Sequence, residues 1–202
     1  MSEEQTERAA FTRMADARPE EWGVVVNAAL PYQRKLADRV LEHLKILSND
    51  FGGYAVDRLE HSLQTATRAQ RDGRDEEYVV CALLHDIGDT LGCFNHSDIA
   101  AAILKPFVSE QNLWIVDKHA IFQGYYFWEH IGLDKNARER FRGHEWFDAT
   151  AEFCERYDQC SFDPGYDSLP LESFEPMVRR LLAHPRRSIY MHGGEAGARE
   201  PR

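Results

Sequence analysis

The run ALLHDIGDTLG at residues 82–92 decides how this chain is read. It opens as an apolar helix and closes in turn residues, with His85 and Asp86 at the junction. Adjacent residues cannot share one face of a regular helix. At a helix end they can point into the same space, the imidazole towards one metal and the carboxylate bridging to a second. A single His-Asp pair arises often by chance, so the flanking sequence has to carry the rest.

Upstream, RLEHSLQTATRA (residues 58–69) holds His61, 24 positions before His85. That leaves room for one helix, a turn and a second helix. Downstream, FNHSDIAAAIL (94–104) holds His96 and VDKHAIFQGYYF (116–127) holds His119, 23 positions apart. Asp158 follows in FCERYDQCSFDP (153–164). Each segment reads as helix, so all six groups can converge inside a bundle, as histidine and carboxylate ligands do in di-metal bundles. Four imidazoles and two carboxylates suit iron, manganese, zinc or nickel, and sulfur has no evident part.

Composition narrows the class. A chain of 202 residues suits one domain with tails and can bury a substantial core. Its net charge of −10 argues against nucleic acid or anionic membranes as partners. No apolar run approaches the roughly 20 residues that span a bilayer, and the acidic start MSEEQTERAAFTR has no apolar signal core. Cys81, Cys93, Cys154 and Cys160 show no CxxC spacing and read as free thiols. The expectation is a cytoplasmic protein whose oligomeric state the sequence leaves open.

Residues 1–20 read as a loosely ordered arm, 21–190 as the domain and 191–202 as a frayed tail. WGVVVNAAL suits a short strand or helix, and Pro31 a helix start. Apolar residues at helical spacing predict helices over about 32–47, 56–71, 75–88, 97–107, 111–127, 134–142, 146–159 and 171–183, the fifth interrupted at Gly124. No alternating strand pattern appears. The predicted fold is all-α, a helical bundle around a dinuclear metal site. His43, His130, His184 and His192 read as surface or hydrogen-bonded residues.

The order His61, His85-Asp86, Asp158 resembles the HD-domain superfamily, whose minimal signature is H…HD…D on an all-helical fold, over roughly residues 30–185. The added His96 and His119 resemble its binuclear members. HSLQTA (61–66) and HDIGD (85–89) resemble the mixed-valent di-iron oxygenases of this fold, which include myo-inositol oxygenase and 1-hydroxy-2-aminoethylphosphonate dioxygenases. That resemblance implies His61, His85 and Asp158 on one iron, His96 and His119 on the other, and Asp86 bridging. It implies an Fe(II)/Fe(III) pair, O2 and a small-molecule substrate attacked at its hydroxyl-bearing carbon. Manganese, zinc or nickel in the same ligands would instead suit an HD phosphohydrolase, in which the metals activate water towards a phosphoester or nucleotide.

The phosphonate enzymes place a histidine four residues after the HD histidine and a lysine four after the last histidine ligand. Here those places hold Asp89 and Gln123. An acid would repel a phosphonate, so Asp89 is expected to face an ammonium-bearing or hydroxyl-rich substrate, or else to be a turn acid. Gln123 is expected to bind substrate or to orient a ligand. Tyr54 is either a ligand or lid, as a tyrosine is in some relatives, or a packed loop aromatic. Arg142 and His144 in FRGHEWF offer an anion-binding corner, or are a surface base and a loop histidine. The aromatic run Tyr125 to Trp128 reads as core packing with a possible π-face for a quaternary ammonium group.

Overall fold

The computed structural model describes residues 7–188, so the expected tail at 191–202, His192 and the first six residues of the arm lie outside the described residues. Eight α-helices run through these residues: α1 (Pro19–Arg34), α2 (Leu36–Lys45), α3 (Arg58–Arg71), α4 (Glu76–Leu84), α5 (His96–Leu104), α6 (Glu110–Gln123), α7 (Phe147–Phe153) and α8 (Leu171–Leu182). Short 3₁₀ turns fill the connections, and no strand occurs among the described residues. The fold is all-α, as the sequence predicts.

α4 is the axis. Every residue from Tyr78 to Leu84 is buried, and a helix apolar on all sides has to be enclosed by others. α3 lies along it, α6 covers a second side and α8 a third. α2 presents Ala37, Val40, Leu41 and Leu44 to α8, an i, i+3, i+4, i+7 stripe against Phe174 and Val178. Side-chain caps fix three starts. Asp57 accepts from Glu60 N at 2.7 Å for α3, Asp75 from Tyr78 N at 2.8 Å for α4, and Ser109 from Asn112 N at 3.3 Å for α6.

Three local expectations need correction. WGVVVNAAL takes its helical alternative as part of α1, but Pro31 lies inside that helix rather than opening the next. The break falls at Lys35 instead, where the Arg39 guanidinium takes the Tyr32 carbonyl at 2.7 Å. Pro19, inside the arm expected over residues 1–20, is the first residue of α1, and the Glu21 carboxylate ties arm to helix by accepting from Ala10 N at 2.9 Å and Arg18 N at 3.1 Å. The helix expected at 134–142 is only a 3₁₀ turn, Ala137–Phe141, between Gly132 and Gly143 at positive φ. All four cysteines are free. No helix among the described residues is long and apolar enough to cross a membrane.

Candidate metal centre

Five elements deliver the six side chains to one place. His61 sits in the first turn of α3, His85 caps the end of α4 and Asp86 follows it. His96 is the first residue of α5, and His119 lies in the last two turns of α6. Asp158 ends a π-helical turn, Cys154–Asp158, that continues α7. There Gln159 N reaches back five residues to Cys154 O at 3.0 Å. The wider turn changes the angle at which Asp158 leaves the helix, a device found often at functional sites.

The imidazoles meet in two pairs. His61 Nε2 lies 3.2 Å from His85 Nε2, and His96 Nε2 lies 3.3 Å from His119 Nε2. The opposite nitrogens are already engaged. Nδ1 of His61 faces Ser161 O at 3.0 Å, that of His85 faces Ala82 O at 2.8 Å, and that of His119 faces Val116 O at 2.7 Å. A carbonyl can only accept, so each of these Nδ1 atoms carries a proton, and each ring in its neutral form turns a bare lone pair inward. His96 Nδ1 lies 3.2 Å from Asp89 Oδ1. Two lone pairs at such a distance repel unless a cation lies between them.

The carboxylates complete both positions. Asp86 Oδ2 stands 3.5 Å from His61 Nε2 and 3.4 Å from His85 Nε2. Its Oδ1 stands 3.3 Å from His96 Nε2 and 3.1 Å from His119 Nε2. Asp158 Oδ1 joins the first pair, 3.3 Å from His61 and 3.8 Å from His85. Donors spaced roughly 3 Å apart are what ligands about 2.1 Å from a common ion adopt. Asp158 Oδ2 is buried with no hydrogen-bond partner, an orphan acceptor that a cation would satisfy. These His/Asp clusters can therefore hold metal.

Electrostatics agree. Burial opposes ionisation of Asp158, yet the facing His61 and His85 imidazoles hold its carboxyl well below its ordinary range. Asp86 is likewise held low against burial, by His85 and His119. Burial disfavours a charged His85, but Asp86 and Asp158 raise it well above the usual imidazole value. A proton there occupies the place a metal would take.

The cluster opens into a cleft of about 810 Å³, lined by Tyr54, Arg58, Asp98, Lys118, Gln123 and Phe127 among others. Gln123 Nε2 donates to Asp158 Oδ1 at 3.0 Å while its Oε1 stays unpartnered. Tyr54 reaches the cleft half exposed, its ring 4.9 Å from that of Phe162, which stacks on His61. Asp89, in the turn after α4, also lines the cleft, with Oδ1 3.2 Å from His96 Nδ1 and Oδ2 paired with Arg58. Burial and the Asp86 charge push its carboxyl up, and His96 and Arg58 oppose that rise. The expected corner at Arg142 and His144 is not brought to the cleft. Arg142 pairs with Glu139 and lies over Phe147, and His144 stacks on Trp114 at 3.6 Å.

Arg58 was not singled out by the sequence, although its place three residues before His61, one turn along the same face, is a usable signal. Its Nε pairs with Asp50 at 3.2 Å.

The HD domain family model matches residues 58–145. The chain is also 38% identical over 69 residues to a [1-hydroxy-2-(trimethylamino)ethyl]phosphonate dioxygenase (glycine-betaine-forming) of Leisingera caerulea. That match takes in 29% of this chain and 35% of the relative, so the chain spans about a third of the length of the curated relative it matches. Residues 58–145, which carry His61, His85, Asp86, His96 and His119, thus resemble the HD-domain superfamily in both sequence and helical fold.

Proposed function

We propose that the protein is a di-iron oxygenase that uses O2 to oxidise or cleave a small hydroxylated, ammonium-bearing substrate at its hydroxyl-bearing carbon. The observation that carries the reading is the seat of Asp86, one oxygen toward each histidine pair. The relative's dioxygenase name supports O2 chemistry over other uses of such a centre. When bound, the iron pair supplies the substrate hydroxyl site and the electron that O2 requires.

This chain's own residues do the rest. His61, His85 and Asp158 would hold one ion, His96 and His119 the other, with Asp86 between them. Phe162 and Phe153 pack against the His61 and His85 rings and keep that side dry. The two cationic side chains in the cleft wall are both tied to acids, Arg58 to Asp50 and Asp89, and Lys118 to Asp117 at 2.6 Å. Exposed Asp98 and the rings of Tyr126, Phe127 and Trp128 line the same cleft. Acid and π-face together suit an ammonium group. A phosphonate end would have to be taken by the metals themselves.

The test is to express the full chain with iron, count metals per chain and record low-temperature EPR after partial reduction. About two irons and an S = 1/2 signal at g below 2, followed by O2 consumption with hydroxylated ammonium compounds, is the expected result. Two manganese, zinc or nickel ions with phosphoester turnover would replace the oxygenase with a phosphohydrolase.

A further inference from the structure

The four histidines are not held alike. Three donate through Nδ1 to neutral backbone carbonyls, of Ser161, Ala82 and Val116. His96 alone has its Nδ1 beside a carboxylate, Asp89 Oδ1 at 3.2 Å. It is also the most exposed of the four, its side chain 24% accessible against 6% or less for the others. An imidazole at the rim, on the first residue of a helix, has the least packing to fix its ring. A carboxylate behind it does that and makes Nε2 a stronger donor.

Asp89 is itself pinned. Its other oxygen meets Arg58 Nη1, and Arg58 Nε meets Asp50 at 3.2 Å. Burial disfavours the Arg58 charge, but Asp89 and Asp50 more than offset it and raise its guanidinium. Arg58 stands one turn before His61 on α3, so a chain of contacts runs from the helix of one metal position to the ligand of the other. Gly88 supports the same joint, because its bare Cα lets the turn after α4 press against the His96 carbonyl.

We propose that Arg58 and Asp89 are positioning residues for His96, and that their charge makes the His96/His119 metal position selectively dependent on them. The proposal rests on the two-metal reading of the site, and not on any oxygenase activity. Asp89→Asn keeps an oxygen able to accept from His96 Nδ1 and removes the charge. Arg58→Gln leaves the carboxylate in place but unpinned.

The experiment is a chelator challenge of the metal-loaded full chain, counting metals retained as chelator concentration rises, with a thermal melt of each variant alongside. Parent protein should release its two metals in two steps. Asp89→Asn should release one of them at roughly 10- to 100-fold lower chelator and keep the other as the parent does. Arg58→Gln should shift the same step by less. Parallel loss of both metals, or unchanged release in either variant, overturns the proposal. A parent chain holding fewer than two metals overturns the two-metal reading itself, a result that the variants cannot mimic.

Discussion

The Cα of Gly88 presses on the backbone carbonyl of His96: a Cβ built there would stand 2.3 Å from that oxygen and 2.9 Å from Ile99 Cβ. The obstacle is backbone at the start of α5 and cannot swing aside. Gly88→Ala should therefore push α5 outward and cost about 1–3 kcal/mol, the usual range for overpacking. Thermal melts would read the loss, and metal counts should fall at the His96/His119 position first. An unchanged melting temperature would mean that the turn after α4 yields more easily than its burial suggests.

Asp86→Ala removes the one carboxylate shared by both histidine pairs. Metal content should drop from two per chain to one at most, with loss of turnover, read by elemental analysis and O2 uptake. Two metals and full activity in this variant would sink the bridging assignment.

Gln123 and Asp158 make the counterpart on the far side of the cluster. The Gln123 amide is the only non-histidine hydrogen-bond donor recorded for the Asp158 carboxylate among the described residues. Gln123→Leu should weaken the His61/His85 metal by roughly 10- to 100-fold and spare the other. Paired with Asp89→Asn, it should divide the two ions in a chelator titration.

A pH effect is expected away from the centre, at Glu77. Burial raises this carboxyl, but Ser109 and Asn112 hydrogen bonds and Arg186 lower it below its ordinary value of 4.5. A depressed carboxyl contributes stability above its unfolded value and loses it as pH falls through the folded one. Glu77→Gln should thus cost about 1 kcal/mol near pH 7. The gap between the two melting curves should narrow as pH falls below 4.5. A gap independent of pH would assign the effect to geometry rather than charge.

The helical nature of the chain was legible in its apolar spacing, and the grouping of His61, His85, Asp86, His96, His119 and Asp158 in the HD-domain resemblance. What neighbours across the fold decide was not. Asp89 reads as a free acid until Arg58, 31 positions earlier, is seen to occupy it. Arg142 and His144 sit in a suggestive glycine-flanked pair, but Phe147 and Trp114 draw them away from the cleft. Pro31 suggests a helix start by local rule, and α1 runs through it. Lone residues took their roles from partners that no local pattern displays.

The wide turn at Cys154–Asp158 has one further consequence. Its extra residue is the margin by which the chain aims Asp158 inward. Deleting one position there would restore ordinary α-helical winding and keep the residues beyond it close to register, while removing the wide turn that carries Asp158. Phe153 and the helices behind it could stay packed while the carboxylate swung off the cluster. A one-codon loss would leave a well-folded protein with its chemistry switched off, so intact folding in a homologue that lacks this residue is no sign of a working centre.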